Sequence, residues 1–167
     1  MRWRRSWRAD PEARVIADRH YNRQSVGSPQ FVPPGRCLVL LATTGTALWI
    51  TSWPLAAYVR HAWGGAWVCS AFRNEGAGLS SGLIIEAVAA TRATFGDPPE
   101  LGMITFVAAD KVRHKRDPGR CYLRAGFVAA GRTAGGLVAL RLLPAAMPAA
   151  CAPLPAVGPL FAPARPA

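Results

Sequence analysis

The stretch that decides the fold is Thr105 to Arg132, TFVAADKVRHKRDPGRCYLRAGFVAAGR. An apolar run from Leu101 to Ala109, with β-branched and aromatic residues, predicts a buried strand that ends at Asp110. A basic cluster follows at once, with Lys111, Arg113, Lys115, Arg116, Arg120 and Arg124 opposed only by Asp110 and Asp117. Pro118-Gly119 sets a turn inside that cluster, a place from which phosphate-binding groups can be presented. Arg120 to Ala125 then predicts one or two helical turns carrying Tyr122, with Gly126 as the stop and Phe127 opening another strand.

Upstream lies Arg73 to Phe95, RNEGAGLSSGLIIEAVAATRATF, which passes through Gly76 and Gly78 into a long helix. Leu79, Leu83, Ile84, Val88 and Thr91 mark its inner face, and Ser80 or Ser81 is placed to cap it. Such a turn leaves backbone N–H groups unpaired at the positive end of the helix dipole, which suits phosphate or pyrophosphate. The turn lacks the lysine and the spacing of a P-loop. Gly96-Asp97-Pro98-Pro99 ends the helix, and a helix between two strands implies that the Ala66–Phe72 and Leu101–Ala109 strands run parallel.

Farther back, Cys37–Ala42 and Ala47–Trp53 predict a hairpin closed by Pro54, and Tyr58 to Gly65, with Arg60 and His61, is a connection. Asp10-Pro11-Glu12 starts a helix that should run to about Tyr21, with His20 and Tyr21 at its end, facing a cleft. A helix C-terminus also favours a charged imidazole without any catalysis, so the position alone does not assign a role. Downstream, Phe127–Ala130 and Gly136–Leu143 close a single domain over residues 10–143 as a last hairpin. Residues 1–9 form a basic arm in which Arg2, Arg4, Arg5 and Arg8 alternate with Trp3 and Trp7, suited either to a phosphate backbone or to folding onto the domain. Residues 144–167, rich in alanine and proline, should be disordered or extended.

A chain of 167 residues can bury a core without disulfides or metal. Cys37, Cys69, Cys121 and Cys151 have no zinc-finger spacing, which points to reduced thiols and an intracellular setting. The net charge of +11, carried mostly by arginine, points to an anionic partner, with nucleic acid ahead of membrane headgroups. The uncharged run Cys37–Val59 is broken by Thr43-Thr44-Gly45-Thr46 and by Pro54, so it falls short of the roughly 20 unbroken apolar residues of a membrane span. The N-terminal MRWRRSWRADPEAR lacks the apolar core of a secretory signal, and export is not expected.

Taken in order, these elements resemble the Gcn5-related N-acetyltransferase superfamily. The resemblance implies one α/β (α+β) domain, a mixed central sheet flanked by helices. It also implies a coenzyme A pyrophosphate site at Gly76, Gly78, Ser80 and Ser81, and a general acid at Tyr122. A narrower resemblance, from about Asp10 to Arg141, is to the Mom DNA-modification proteins of bacteriophages. It is carried by His20-Tyr21, Ser70 to Arg73, Thr105-Phe106 through Asp110, Gly119 to Tyr122, and Ala125-Gly126-Phe127. Members of that family convert the N6 amino group of adenine in DNA to a carbamoylmethyl derivative, which shields phage DNA from restriction nucleases.

This resemblance implies a phage or prophage protein working in the bacterial cytoplasm on double-stranded DNA, with the adenine flipped out of the stack. His20 and Tyr21 become proton-transfer or base-orienting groups, Tyr122 an acid or donor-positioning group, Asp110 a polar anchor and Arg73 a phosphate contact. The Lys111–Arg124 cluster becomes the DNA contact. The group donor stays open: an acyl-CoA-type donor is compatible, and so is iron or another metal near His20 and Asp110. Oligomeric state also stays open, a dimer included. Two other functions fit the same sequence, an acyl-CoA N-acetyltransferase acting on a small amine or a protein, and a non-catalytic basic DNA-binding protein.

Overall fold

The computed structural model of the chain describes residues 1–32, 34–112 and 117–157. Seven strands make one mixed sheet: β1 Trp3–Ser6, β2 Arg36–Ala42, β3 Ala47–Trp53, β4 Trp67–Asn74, β5 Met103–Val107, β6 Val128–Arg132 and β7 Val138–Leu142. Their order is β1-β2-β3-β4-β5-β7-β6. Every neighbouring pair is antiparallel except β4 and β5, the pair joined by a helix. Three helices pack on the sheet: α1 Pro11–Asp18, α2 Ser80–Phe95 and the short α3 Arg120–Arg124. Among the described residues no helix is long and apolar enough to cross a membrane.

The larger core lies on the α2 side, where Trp3, Trp49 and Trp67 are fully buried beside Leu83, Ile84 and Val88. Truncating any one of these tryptophans to alanine costs about 3–5 kcal/mol. The Trp49 indole donates to Thr51 (2.5 Å), Thr51 meets Thr91 (3.1 Å), and Thr91 donates to the Ala87 carbonyl (2.8 Å), whereas the buried Trp67 indole nitrogen has no hydrogen-bond partner among the described residues. A smaller core on the other face packs Ile16 and Ala17 of α1 against Val39, Leu41, Leu48 and Ile50.

Gly102 shows how tightly the centre is drawn together. At φ +69° it lies so close to β7 that a Cβ would sit 2.1 Å from the Leu142 carbonyl oxygen. Only glycine fits there.

Three expectations are corrected. Residues 1–9 are not a separate arm, because Trp3–Ser6 joins the sheet edge and the Trp3 indole donates to the Leu83 carbonyl at 2.8 Å. Arginines that read as a DNA arm are engaged inside the fold: Arg2 with Glu86, Arg4 with Glu12, and Arg8 with the Gly35 carbonyl. The tail, as far as it is described, is not disordered: after a 3₁₀ turn at Pro144–Ala146 it runs extended against the fold, and residues 158–167 lie outside the described residues. Helix α2 is apolar nearly all round and must be covered on its outer side as well. Met147 is buried, Arg92 donates to the Pro148 carbonyl (2.7 Å), and the Cys151 amide donates to Ala89 (3.1 Å). Third, α1 stops at Asp18 rather than Tyr21, because the Asp18 carboxylate binds Arg23 (2.7 Å) and the Gly27 amide (3.1 Å) and so turns the chain back.

Candidate functional site

The parallel ladder is short. Trp67 pairs with Met103, Val68 with Ile104 and Cys69 with Thr105; beyond these, β4 stays with β3 while β5 stays with β7. A bulge at Ser70, where the β3 register passes from Ala71 to Cys69, bends β4 at the point of parting. The gap that opens is a cavity of about 380 Å³, within the roughly 300–1,000 Å³ of small-molecule sites. Ser80, Ser81, Arg120, Cys121, Tyr122 and Arg124 line it from the α2 side, and His20, Tyr21 and Phe106 from the α1 side.

Tyr122 sits at the floor. Gly119 at φ +82° begins α3 and the tyrosine follows three residues later, wedged edge-on between Phe72 and Phe127. Its hydroxyl lies 3.6 Å from the Cys69 sulfur, and burial pushes its pKa well above the usual phenol value. It is therefore a protonated donor at neutral pH. Burial likewise pushes the Cys69 thiol up to about 12, so Cys69 is a poor nucleophile there.

His20 and Tyr21 occupy the turn after α1, with rings stacked at 4.5 Å. The His20 Nδ1 lies 2.5 Å from the Asn22 side-chain oxygen, while the Asn22 amide nitrogen donates to the Ser70 carbonyl at 2.9 Å. The Asn22 backbone amide also donates to Nδ1 at 3.3 Å, and the ring hydrogen-bonds the Phe72 backbone, so the imidazole is held on both sides by Asn22 and Phe72. Burial lowers the His20 pKa, Asn22 and the Phe72 backbone oppose the shift, and the Arg73 charge adds to it. Burial raises the Tyr21 pKa, with the charge of Asp110 pushing the same way.

The remaining expected residues lie around this cavity in different ways. Arg73 does not line it. Its guanidinium donates to Glu75 (2.5 Å) and to the Arg19 carbonyl (2.7 Å), and Glu75 also holds the Arg19 side chain (2.8 Å). This clamp ties the end of α1 to β4 and thereby sets His20. Asp110, on a 3₁₀ turn over Ala109–Val112, is exposed and reaches the site through its field on Tyr21.

Gly76 and Gly78 also lie outside the cavity lining. The Gly76 and Ala77 amides are already taken by the Asn74 side-chain oxygen (3.2 and 2.9 Å). Neither serine caps α2: Leu79 is the N-cap, with no side-chain bond, and the Ser80 hydroxyl accepts from Asn74 at 2.9 Å. The first amides of α2 are thus left for another acceptor. The Arg2 guanidinium lies beside them, within 2.9 Å of where a Cβ on Gly78 or Gly82 would be.

Of the basic cluster, Arg120 and Arg124 line the cavity and Lys111 is exposed on the 3₁₀ turn, while Arg113, Lys115 and Arg116 lie outside the described residues. No protein-family model, curated protein or solved structure matches the chain. Among the described residues no three His, Cys, Asp or Glu side chains come together as a metal site, and no disulfide joins the four cysteines. Asn22 and Asn74, which hold His20 and the glycine turn, were not singled out from sequence. Asn74 had a usable signal, an amide side chain just ahead of a glycine turn. Asn22 had none.

Proposed function

We propose that the chain is a group-transfer enzyme of the Gcn5-related type that, like the Mom proteins it resembles, modifies the N6 amino group of adenine in duplex DNA. The observation that carries this reading is the opening between β4 and β5, which an imidazole lines from one face of the sheet and a protonated phenol from the other. The N6 lone pair is delocalised into the purine ring, so the reaction needs positioning and removal of a proton as the new bond forms. In this scheme the flipped adenine enters from the α1 side, against Tyr21 and Phe106. The neutral His20 imidazole accepts the N6 proton as the N6–carbon bond forms. Tyr122 gives its proton to the leaving atom as the donor's bond breaks, and the two protons exchange with water afterwards.

An anionic donor of the acyl-CoA type fits the first amides of α2 and Arg2 better than it fits Gly76 and Ala77, whose amides are engaged. A thioester of that type would acylate N6; a carbamoylmethyl product needs a donor whose leaving atom is on the methylene carbon, so that the N6–CH2 bond forms as that bond breaks. The described residues bring together too few His, Cys, Asp or Glu side chains to hold a metal. By this reading the protein acts in the bacterial cytoplasm on phage or prophage DNA and protects it from restriction.

Expression in a bacterium, followed by hydrolysis of the bulk DNA and mass spectrometry of the nucleosides, tests the reading. A deoxyadenosine heavier by one carbamoylmethyl group is expected. Unmodified deoxyadenosine from well-expressing cells, together with acetylation of an amine by the purified chain, would transfer the assignment to an ordinary acetyltransferase.

A further inference from the structure

The cleft does not end at Phe106. That ring also lines a second cavity, of about 380 Å³, bounded by Arg36, Ser52, Tyr58, Arg60 and Ser70. A third, of about 690 Å³, adjoins it and shares Arg36, Pro54 and Tyr58. The result is a groove leading from the candidate site to the connection between β3 and β4. The Ser52 and Ser70 hydroxyls meet at 2.8 Å on its floor. On its rim Tyr58, at the end of a 3₁₀ turn over Ala56–Tyr58, is 82% exposed, and Leu55 beside it is 72% exposed. Arg36 is held in place, its guanidinium 4.8 Å from the Trp53 ring and 4.7 Å from the Phe95 ring.

Charge decides what such a groove attracts. From Arg19 to Asn74 the sequence contains Arg19, Arg23, Arg36, Arg60 and Arg73 and no Asp or Glu at all. Both outer cavities are lined from within this stretch except for Phe106, so no carboxylate faces the groove among the described residues. Of these arginines, Arg19 and Arg73 pair with Glu75 and Arg23 with Asp18, while Arg36 and Arg60 line the groove. Two cations, one presented on aromatic rings, beside a projecting tyrosine match the stacking platform and backbone contacts used for single-stranded nucleic acid.

We infer that this groove holds the DNA strand flanking the flipped adenine, with a neighbouring base stacked on Tyr58 and phosphates at Arg36 and Arg60. The inference rests on the DNA-modifying reading above. It moves part of the DNA contact from the Lys111–Arg124 cluster to the opposite side of the cleft.

The test uses the full chain and a fluorescently labelled oligonucleotide with one adenine among thymines, with anisotropy read over a salt series. Tyr58→Ala should weaken binding roughly 5- to 100-fold, the effect of one lost stacking contact. Arg60→Ala should lower the salt slope by about 0.7. Arg5→Ala, exposed on the far sheet edge, should leave both quantities near wild type. Wild-type affinity for Tyr58→Ala overturns the inference, as does an Arg5→Ala slope change equal to that of Arg60→Ala, which would mean diffuse attraction. Loss of binding to phosphatidylserine vesicles but not to the oligonucleotide overturns it in favour of a membrane surface. If Tyr58→Ala binds poorly while cellular deoxyadenosine stays unmodified, the groove stands and the enzyme reading falls. Modified adenine with Tyr58→Ala binding normally is the reverse.

Discussion

Up to Cys69 and Thr105, β4 and β5 are hydrogen-bonded neighbours with Trp67, Met103 and Ile104 fully buried; past that point the same strands part and face a cavity with His20, Tyr21 and Tyr122 around it. The closed half follows the ordinary rule that backbone polar groups pair with one another. The open half departs from it at a bulge. What the difference teaches is that the candidate site is made by ending a ladder early, and that the packing of the closed half fixes where the opening falls.

The comparison can be broken most severely at Gly102. A Gly102→Ala side chain would overlap the Leu142 carbonyl and adopt a disfavoured φ, so a loss of about 4 kcal/mol or more is expected, read by denaturant unfolding. A mild effect would mean that the closed half tolerates movement. In the open half, Tyr122→Phe should cut DNA modification on the order of 10² to 10⁴-fold, with the melting temperature within a few degrees of wild type. Equal loss of activity and fold would make Tyr122 a packing residue like those below it.

Smaller effects separate His20 and its clamp. Because burial lowers the His20 pKa, the unfolded chain takes up that proton near pH 6.5 while the folded chain resists. Native stability is therefore lost as pH falls through and below this value. His20→Asn should flatten that acid slope, measured by melting between pH 7.5 and 5, and should abolish modification.

Glu75 behaves with the same sign in a more acidic window. Arg19 and Arg73 hold its carboxyl down to about 2, so its contribution is present above the ordinary value of 4.5 and disappears as pH falls from there towards about 2. Glu75→Gln should cost about 1 kcal/mol or less at neutral pH and nothing near pH 2.

Much of the closed half could be read from residues. The span Ala47–Trp53, the parallel β4/β5 pair and the closing hairpin follow from apolar runs, a helical connection and glycine turns. Strand β1 could not, because alternating arginines look like a solvated arm until Glu12, Asp10 and Glu86 arrive from elsewhere in the chain to pair with them. The tail was misread for a related reason. Alanine and proline carry little folding signal of their own, and the need to cover the back of α2 is visible only once that helix is docked. In the open half, His20 and Tyr122 were legible as polar groups at helix ends beside a predicted cleft. The role of Arg73 was not, since sequence gives no hint that Glu75 and the Arg19 carbonyl occupy its guanidinium.

The segment around Leu154 has a further consequence. Its carbonyl accepts from the Arg5 amide (2.8 Å) and its amide donates to Trp3 (2.9 Å), so two polar positions on the outer rim of β1 are already filled. At the opposite rim, β6 has no such cover among the described residues, but its register slips between Ala129 and Gly131 and breaks the regular row of donors and acceptors. An exposed regular rim is a template on which a second molecule can add a strand and begin to aggregate. This sheet is guarded at one end by a strap and at the other by a flaw, and removal of the residues after Met147 would strip away the strap alone.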